Sequence, residues 1–246
     1  DCERTIQELG KFNIGTILDY SVEGKESEAD FDHCLEETLD TIKKAKDHTH
    51  IPFCVFKVTG LARFELLRKV TEKETLSAEE KTEWEKVRQR VKTICKAAAD
   101  GDQPIFIDAE ESWIQIAIDE LANENMAAIN KTKVIVYNTY QMYRHDRLQY
   151  LKDSLAEAKQ KGYKVGAKLV RGAYMEKERE RAKEKNYTSP IQKDKETSDA
   201  DYDKAVEFCV ENIESMALCA GTHNEASSLK LVELMDAKKV EHSDKR

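Results

Sequence analysis

The chain has 246 residues, 40% of them apolar and 36% charged, with a net charge of −8. That apolar content can build a substantial core in one large domain or two ordinary ones, whereas the acidic balance argues against a broad nucleic-acid surface, which needs clustered positive charge. No run approaches the roughly 18 consecutive apolar residues of a membrane span, and the N-terminal DCERTIQELG is a charged helix pattern without a signal-peptide core, which argues against secretion.

In chain order, six short apolar, β-branched runs predict strands: TILDYSV (16–22), FCVFKVT (53–59), IFIDAE (105–110), KVIVYNTY (133–140), KVGAKLV (164–170) and LCAGTHN (218–224). Charged segments of helical period separate them: FDHCLEETLDTIKKAK after the first, SAEEKTEWEKVRQRVKTICKAAAD after the second and SWIQIAIDELANENMAAIN after the third. HDRLQYLKDSLAEAKQKG and DADYDKAVEFCVENIESM flank the fifth strand, and EASSLKLVELMDAKK follows the sixth. TEKETLSAEEKTEWEK reads as a loop entering a helix, with Ser77 as N-cap and Glu80 closing a capping box. YMEKERERAKEK reads as a solvated helix face.

Six cysteines, at positions 2, 34, 54, 95, 209 and 219, form no CxxC pair. They are expected to be reduced core thiols, with neither a zinc site nor a disulfide framework. Three prolines and nine glycines leave little for linkers, so residues 1–246 read as one domain.

Strict alternation of apolar strands with helices gives an α/β fold with a parallel sheet. No GxGxxG follows the first strand, against a Rossmann sheet. Every strand instead ends in polar side chains: Asp19 and Tyr20, Lys57 and Thr59, Asp108 and Glu110, Asn138 and Tyr140, Lys168 and Arg171, then Thr222, His223 and Asn224. A βα-barrel gathers such ends on one face, so the expected class is a (βα)8 TIM-barrel type. Only six of the eight βα units are counted, and the domain is expected to be incomplete at its C-terminus.

Lys57 and Asp108 lie in apolar runs, where a buried charge needs a partner. They read either as a structural ion pair or as a pocket-floor pair that orients a ligand. GAKLVRGAY offers two cations and glycines before a helix start, either an anion-holding turn using Lys168 or Arg171 or an ordinary loop. His223, with no second histidine nearby, suits hydrogen bonding or a phosphate or ring contact better than a metal. No GxSxG elbow supports nucleophilic hydrolysis.

Taken in order, LDYSVEG, FKVTGL, IDAEESW, YNTYQMY, GAKLVRGAYMEKER and AGTHNE closely resemble the proline dehydrogenase family, most of all the monofunctional bacterial type related to the mitochondrial enzyme. The resemblance implies a distorted βα-barrel that binds FAD at its strand ends and oxidises L-proline to Δ1-pyrroline-5-carboxylate. It implies hydride transfer from proline C5 to flavin N5 and electrons passed to a quinone in an adjoining membrane. Residue by residue, Lys57 and Asp108 match the active-site pair and Tyr174 a tyrosine of the substrate pocket. Lys168 matches a cation near flavin N5, and Val170, Gly172 and Ala173 match residues running along the cofactor. Asn138 matches a flavin-ring contact, Thr222 and His223 match cofactor contacts, and Lys195 a residue near the adenine-side phosphates. No metal is implied.

The family's seventh and eighth strands, and a last helix whose adjacent arginines bind the proline carboxylate, find no counterpart in this sequence. These residues are therefore expected to carry much of the FAD surface without efficient proline turnover of their own, and open strand edges would favour homo-oligomers. Two other functions stay open: a Schiff-base lyase or aldolase using Lys57 or Lys168, and a non-catalytic remnant binding flavin or a partner. The resemblance implies peripheral association with the cytoplasmic face of a bacterial inner membrane, or with the mitochondrial inner membrane on the matrix side if the source is eukaryotic.

Overall fold

Local signals in the sequence start or stop several helices of this computed structural model, which describes residues 2–20, 25–241 and 244. Helix α1 (Cys2–Gly10) precedes strand β1 (Ile17–Asp19), and α2 (Glu28–Ala45) starts where the Ser27 side chain accepts from the Asp30 amide. Strand β2 (Phe53–Phe56) runs into a 3-10 turn (Val58–Gly60) and then α3 (Phe64–Thr71). The capping box of α4 (Ala78–Asp100) is present, with the Glu80 amide donating to Ser77 Oγ at 3.2 Å and the Ser77 amide to Glu80 Oε2 at 2.9 Å.

Strand β3 (Ile105–Ile107), α5 (Ser112–Ile129) and β4 (Val136–Gln141) follow. Helix α6 (Arg147–Lys161) stops at Gly162, whose φ of 69° is the left-handed conformation that ends a helix at least cost in glycine. Then come β5 (Val165–Val170), α7 (Met175–Lys185), α8 (Lys195–Glu211), β6 (Met216–Ala220) and α9 (Glu225–Lys238). The Asp194 and Asn224 side chains cap α8 and α9 by accepting from the amides of Thr197 and Ser227.

Among the described residues the six strands lie in sequential order, β1 to β6, and the paired strands are parallel. The order never reverses. A doubly wound sheet has a reversal at its switch point, so the α/β expectation holds in its βα-barrel form.

The chain divides into two compact units. The first comprises Asp1–Asp108, Trp113–Asn125 and Ile135–Tyr137, the second Ala109–Ser112, Met126–Val134 and Asn138–Arg246. In the first unit Phe53 stacks on Phe106 at 4.4 Å between centroids, with Tyr137 edge-on to both. Ile105, Phe106 and Ile107 are wholly buried, each contributing about 1.5–3 kcal/mol. In the second unit Leu169, Tyr140, Tyr202 and Val206 lie in the core, and Tyr140 packs beside Tyr150 of α6.

Several strands are shorter than the apolar runs suggest. Strand β2 ends at Phe56 because Val58–Gly60 turns, and β3 ends one residue before Asp108. In β1 Ile17 is 47% exposed, so this strand is not the apolar-throughout element of the sequence expectation; positions 21 and 22 of its predicted run lie outside the described residues. Helix α3 lacks a side-chain cap and holds its place by burying Leu66 and Leu67.

Candidate functional site

In the first unit, Lys57 and Asp108 each sit immediately after the end of a strand. Val55 pairs in register with Phe106, Phe56 with Ile107, and the ladder extends to the Asp108 amide, which donates to Phe56 O at 3.0 Å. Residues paired across a parallel ladder share a face. Lys57 and Asp108 therefore project together, and Lys57 Nζ lies 3.1 Å from Asp108 Oδ2. Their side chains are 18% and 17% exposed, so the pair is partly desolvated yet reachable from solvent.

In the second unit, register sorts the candidates by face. Thr139 pairs with Lys168, Gln141 with Val170, and Lys168 with Cys219. One face thus carries Thr139, Gln141, Lys168, Val170 and Cys219. Asn138 pairs with Ala167 and shares the opposite face with Tyr140, which packs toward α6. Asn138 is fully buried and its Oδ1 accepts from the Thr139 amide at 2.9 Å. Asn138 is not brought to the face of Lys168.

Gln141, which the sequence reading passed over, does stand on that face. Its Nε2 donates to Glu110 O at 2.9 Å, which fixes the amide, while its buried Oε1 accepts no hydrogen bond. A buried acceptor left empty is costly unless a ligand donor fills it.

Beyond β5, Gly172 has a φ of 142°, and a Cβ on it would overlap the Tyr143 ring. Glycine is required there by its neighbour as well as by its backbone. The Tyr143 hydroxyl accepts from the Tyr174 amide at 3.4 Å. Burial, then the nearby Glu178 carboxylate, pushes the Tyr143 hydroxyl well above the ordinary tyrosine range and keeps it protonated. Ala173 is exposed, and Tyr174 is half-buried at the start of α7.

Helix α7 departs from the expected solvated face at one position. Glu178 is completely buried and accepts from the Ser112 amide at 2.6 Å and the Ser112 hydroxyl at 2.7 Å, capping α5 from outside its own sequence. Lys177 pairs with Glu111 beside it. The Glu178 amide also donates to Tyr174 O at 2.9 Å, so this clamp reaches the candidate pocket tyrosine.

Thr222 Oγ1 accepts from Arg171 and from the Asn224 amide, at 2.8 and 3.0 Å, while His223 is exposed. Lys195 is exposed and bonds Asp199 at 2.5 Å. Burial raises the Asp199 carboxyl, but its bonds with Lys195 and Arg171 prevail and hold it below the usual range. Arg171 is turned to protein partners with all three guanidinium nitrogens, unlike the anion holder suggested by GAKLVRGAY.

A sequence model of the proline dehydrogenase family matches residues 2–245. The chain belongs to the proline dehydrogenase family. It is 29% identical over 227 residues to the carbapenem antibiotics biosynthesis protein CarD of Pectobacterium carotovorum subsp. carotovorum, covering 92% of this chain and 59% of that protein. It is 41% identical over 131 residues to the mitochondrial proline dehydrogenase 1 of Drosophila melanogaster, covering 53% of this chain and 19% of that protein.

The proline utilization A protein of Bdellovibrio bacteriovorus, inactivated by N-propargylglycine, superposes with a TM-score of 0.82 at 17% identity, over 97% of this chain and 26% of that one. That likeness shows the fold, a distorted TIM-barrel type. The family chain thus spans little more than half the length of the first of these curated relatives and a smaller part of the second.

The donor set fits the flavin that the family implies. Lys168 supplies a cation, Val170 an apolar surface, and Gln141 a buried acceptor in need of a donor, all on one face.

Proposed function

We propose that this proline dehydrogenase family member takes part in the FAD-dependent oxidation of L-proline to Δ1-pyrroline-5-carboxylate, with a quinone as electron acceptor. The observation that carries the reading is the Lys57–Asp108 pair, 3.1 Å apart after neighbouring parallel strands. When bound, FAD supplies the acceptor for the hydride of proline C5.

The protein's own residues bind and orient. Asp108 holds the Lys57 ammonium in a fixed direction, so the pair presents a preorganised dipole to the proline ring and needs no rearrangement on binding. Tyr174, tethered through Tyr143 and Glu178, forms a wall of the substrate pocket. Lys168 places positive charge on the cofactor face and favours an electron-rich ring, as a point charge without the planar fork of arginine. Val170, Gly172 and Ala173 follow the cofactor, with Thr222, His223 and Lys195 as further contacts. On β4, Gln141 takes the ring contact that the resemblance gave to Asn138.

The reading includes a single barrel domain, self-association, and peripheral attachment to a quinone-bearing membrane. Among the described residues no helix is long and apolar enough to cross a membrane. The pairing of Lys57 Nζ with a carboxylate favours this function over a lyase, which needs a neutral amine there.

The test is product formation. Protein loaded with FAD and given L-proline with a soluble quinone is expected to yield Δ1-pyrroline-5-carboxylate, trapped with o-aminobenzaldehyde, in step with quinone reduction. Turnover by these residues alone is expected to be slow, and bound FAD that L-proline never reduces, even on prolonged incubation, would overturn the reading.

A further inference from the structure

We propose that Arg171 is a positioning residue that holds the loop after β6 in place for cofactor binding, by fixing Thr222 and, through it, His223. Arg171 stands immediately after β5 and joins three elements of the second unit. Its Nε donates to Asp199 in α8 at 2.5 Å, one Nη to Thr222 Oγ1 at 2.8 Å, and the other Nη to Ser227 Oγ in α9 at 3.0 Å.

The guanidinium carbon lies 4.4 Å from the centroid of the Tyr202 ring, a cation–π contact that fixes the plane of the fork. Ser227, itself buried, passes the linkage on to Asp203 at 2.6 Å. Main-chain contacts extend the same node, since Arg171 O accepts from the Tyr143 amide at 2.8 Å.

The loop needs such a clamp. Residues 221–224 have no regular structure, and Thr222 Oγ1 also accepts from the Asn224 amide, which sets the start of α9. With its charge met by Asp199 and its nitrogens committed, Arg171 acts on the ligand through this loop. A lysine carries one point donor group and cannot span Asp199, Thr222 and Ser227 at once.

The inference rests on the flavin reading for its purpose, while the clamp can be tested without flavin. Hydrogen exchange of the ligand-free protein is expected to accelerate about tenfold at residues 221–224 in Arg171→Met, the scale of a lost charge-assisted bond. Ser227→Ala, which removes a single arm, is expected to give a smaller acceleration and keeps the test decisive should Arg171→Met fail to fold. Val206→Ala, a cavity in the core of α8, controls for lost stability and is expected to leave exchange at residues 221–224 unchanged relative to the rest of the second unit.

In a parallel titration, FAD affinity is expected to weaken about tenfold in Arg171→Met and to change little in the control, with partial recovery in Arg171→Lys. Unchanged exchange at residues 221–224, or exchange that only tracks the control, overturns the clamp. FAD affinity equal to wild type overturns its link to cofactor binding. If the wild-type protein binds no FAD, the flavin reading and that link fail together, and the exchange result still decides the clamp.

Discussion

The strand ends of the two units handle charge in opposite ways. In the first unit Lys57 and Asp108 form a pair with side chains 18% and 17% exposed, near enough to solvent to meet a small ligand. In the second unit Arg171 is distributed over Asp199, Thr222, Ser227 and the Tyr202 ring, and Glu178 is sealed against Ser112. A pair that stays reachable suits direct contact with a substrate, whereas a cation spread over three elements suits holding loops in register. On the proposed function, the first arrangement carries chemistry and the second positioning.

The largest effect should come from breaking the reachable pair. Lys57→Met removes the preorganised dipole and leaves Asp108 without this cation, so proline-dependent flavin reduction in single turnover should slow by about 10²-fold or more. Removing one partner of this largely buried pair should also cost stability, so the rate is read on protein shown to be folded. A rate near wild type would remove Lys57 from the chemistry.

The sealed network should show the reverse pattern. Glu178→Ala leaves the part-buried Ser112 amide and hydroxyl without their acceptor and should destabilise the protein by about 1–3 kcal/mol in chemical denaturation. The surface-helix reading of MEKERERAKEK predicts almost no change.

Ser77→Ala removes one half of the α4 capping box and should cost about 1 kcal/mol by the same measurement, with proline oxidation unaffected.

The smallest effect is a pH dependence. The Asp199 carboxyl is held below its ordinary value in the folded state, so its contribution to stability is complete above the unfolded value of about 3.9. That contribution is lost as pH falls through the folded value. The Tm difference between wild type and Asp199→Asn should therefore be steady near neutrality and narrow below about pH 4. A gap that widens in acid would contradict the assignment.

Much of the fold was legible in the sequence because apolar runs and charged helical segments alternate strictly. Facing was not legible for Asn138: a wholly buried strand such as β4 carries no polar alternation, so only pairing with Ala167 shows which way it points. Gln141 was hidden for the same reason.

Glu178 escaped notice because it repeats among Glu and Lys at helical spacing, and composition cannot tell which glutamate meets a distant helix start. Helix α3 has no capping side chain and depends on burial of Leu66 and Leu67, a tertiary cause invisible to local pattern. Lys57 and Asp108 were found because charged residues in apolar runs demand partners.

The most direct test of the central claim is the anaerobic visible spectrum of the protein supplied with FAD, before and after L-proline. The account predicts a protein-bound flavin band that bleaches on addition of proline, and bleaches far more slowly in Lys57→Met. A bound band that proline leaves unchanged in the wild-type protein would contradict it.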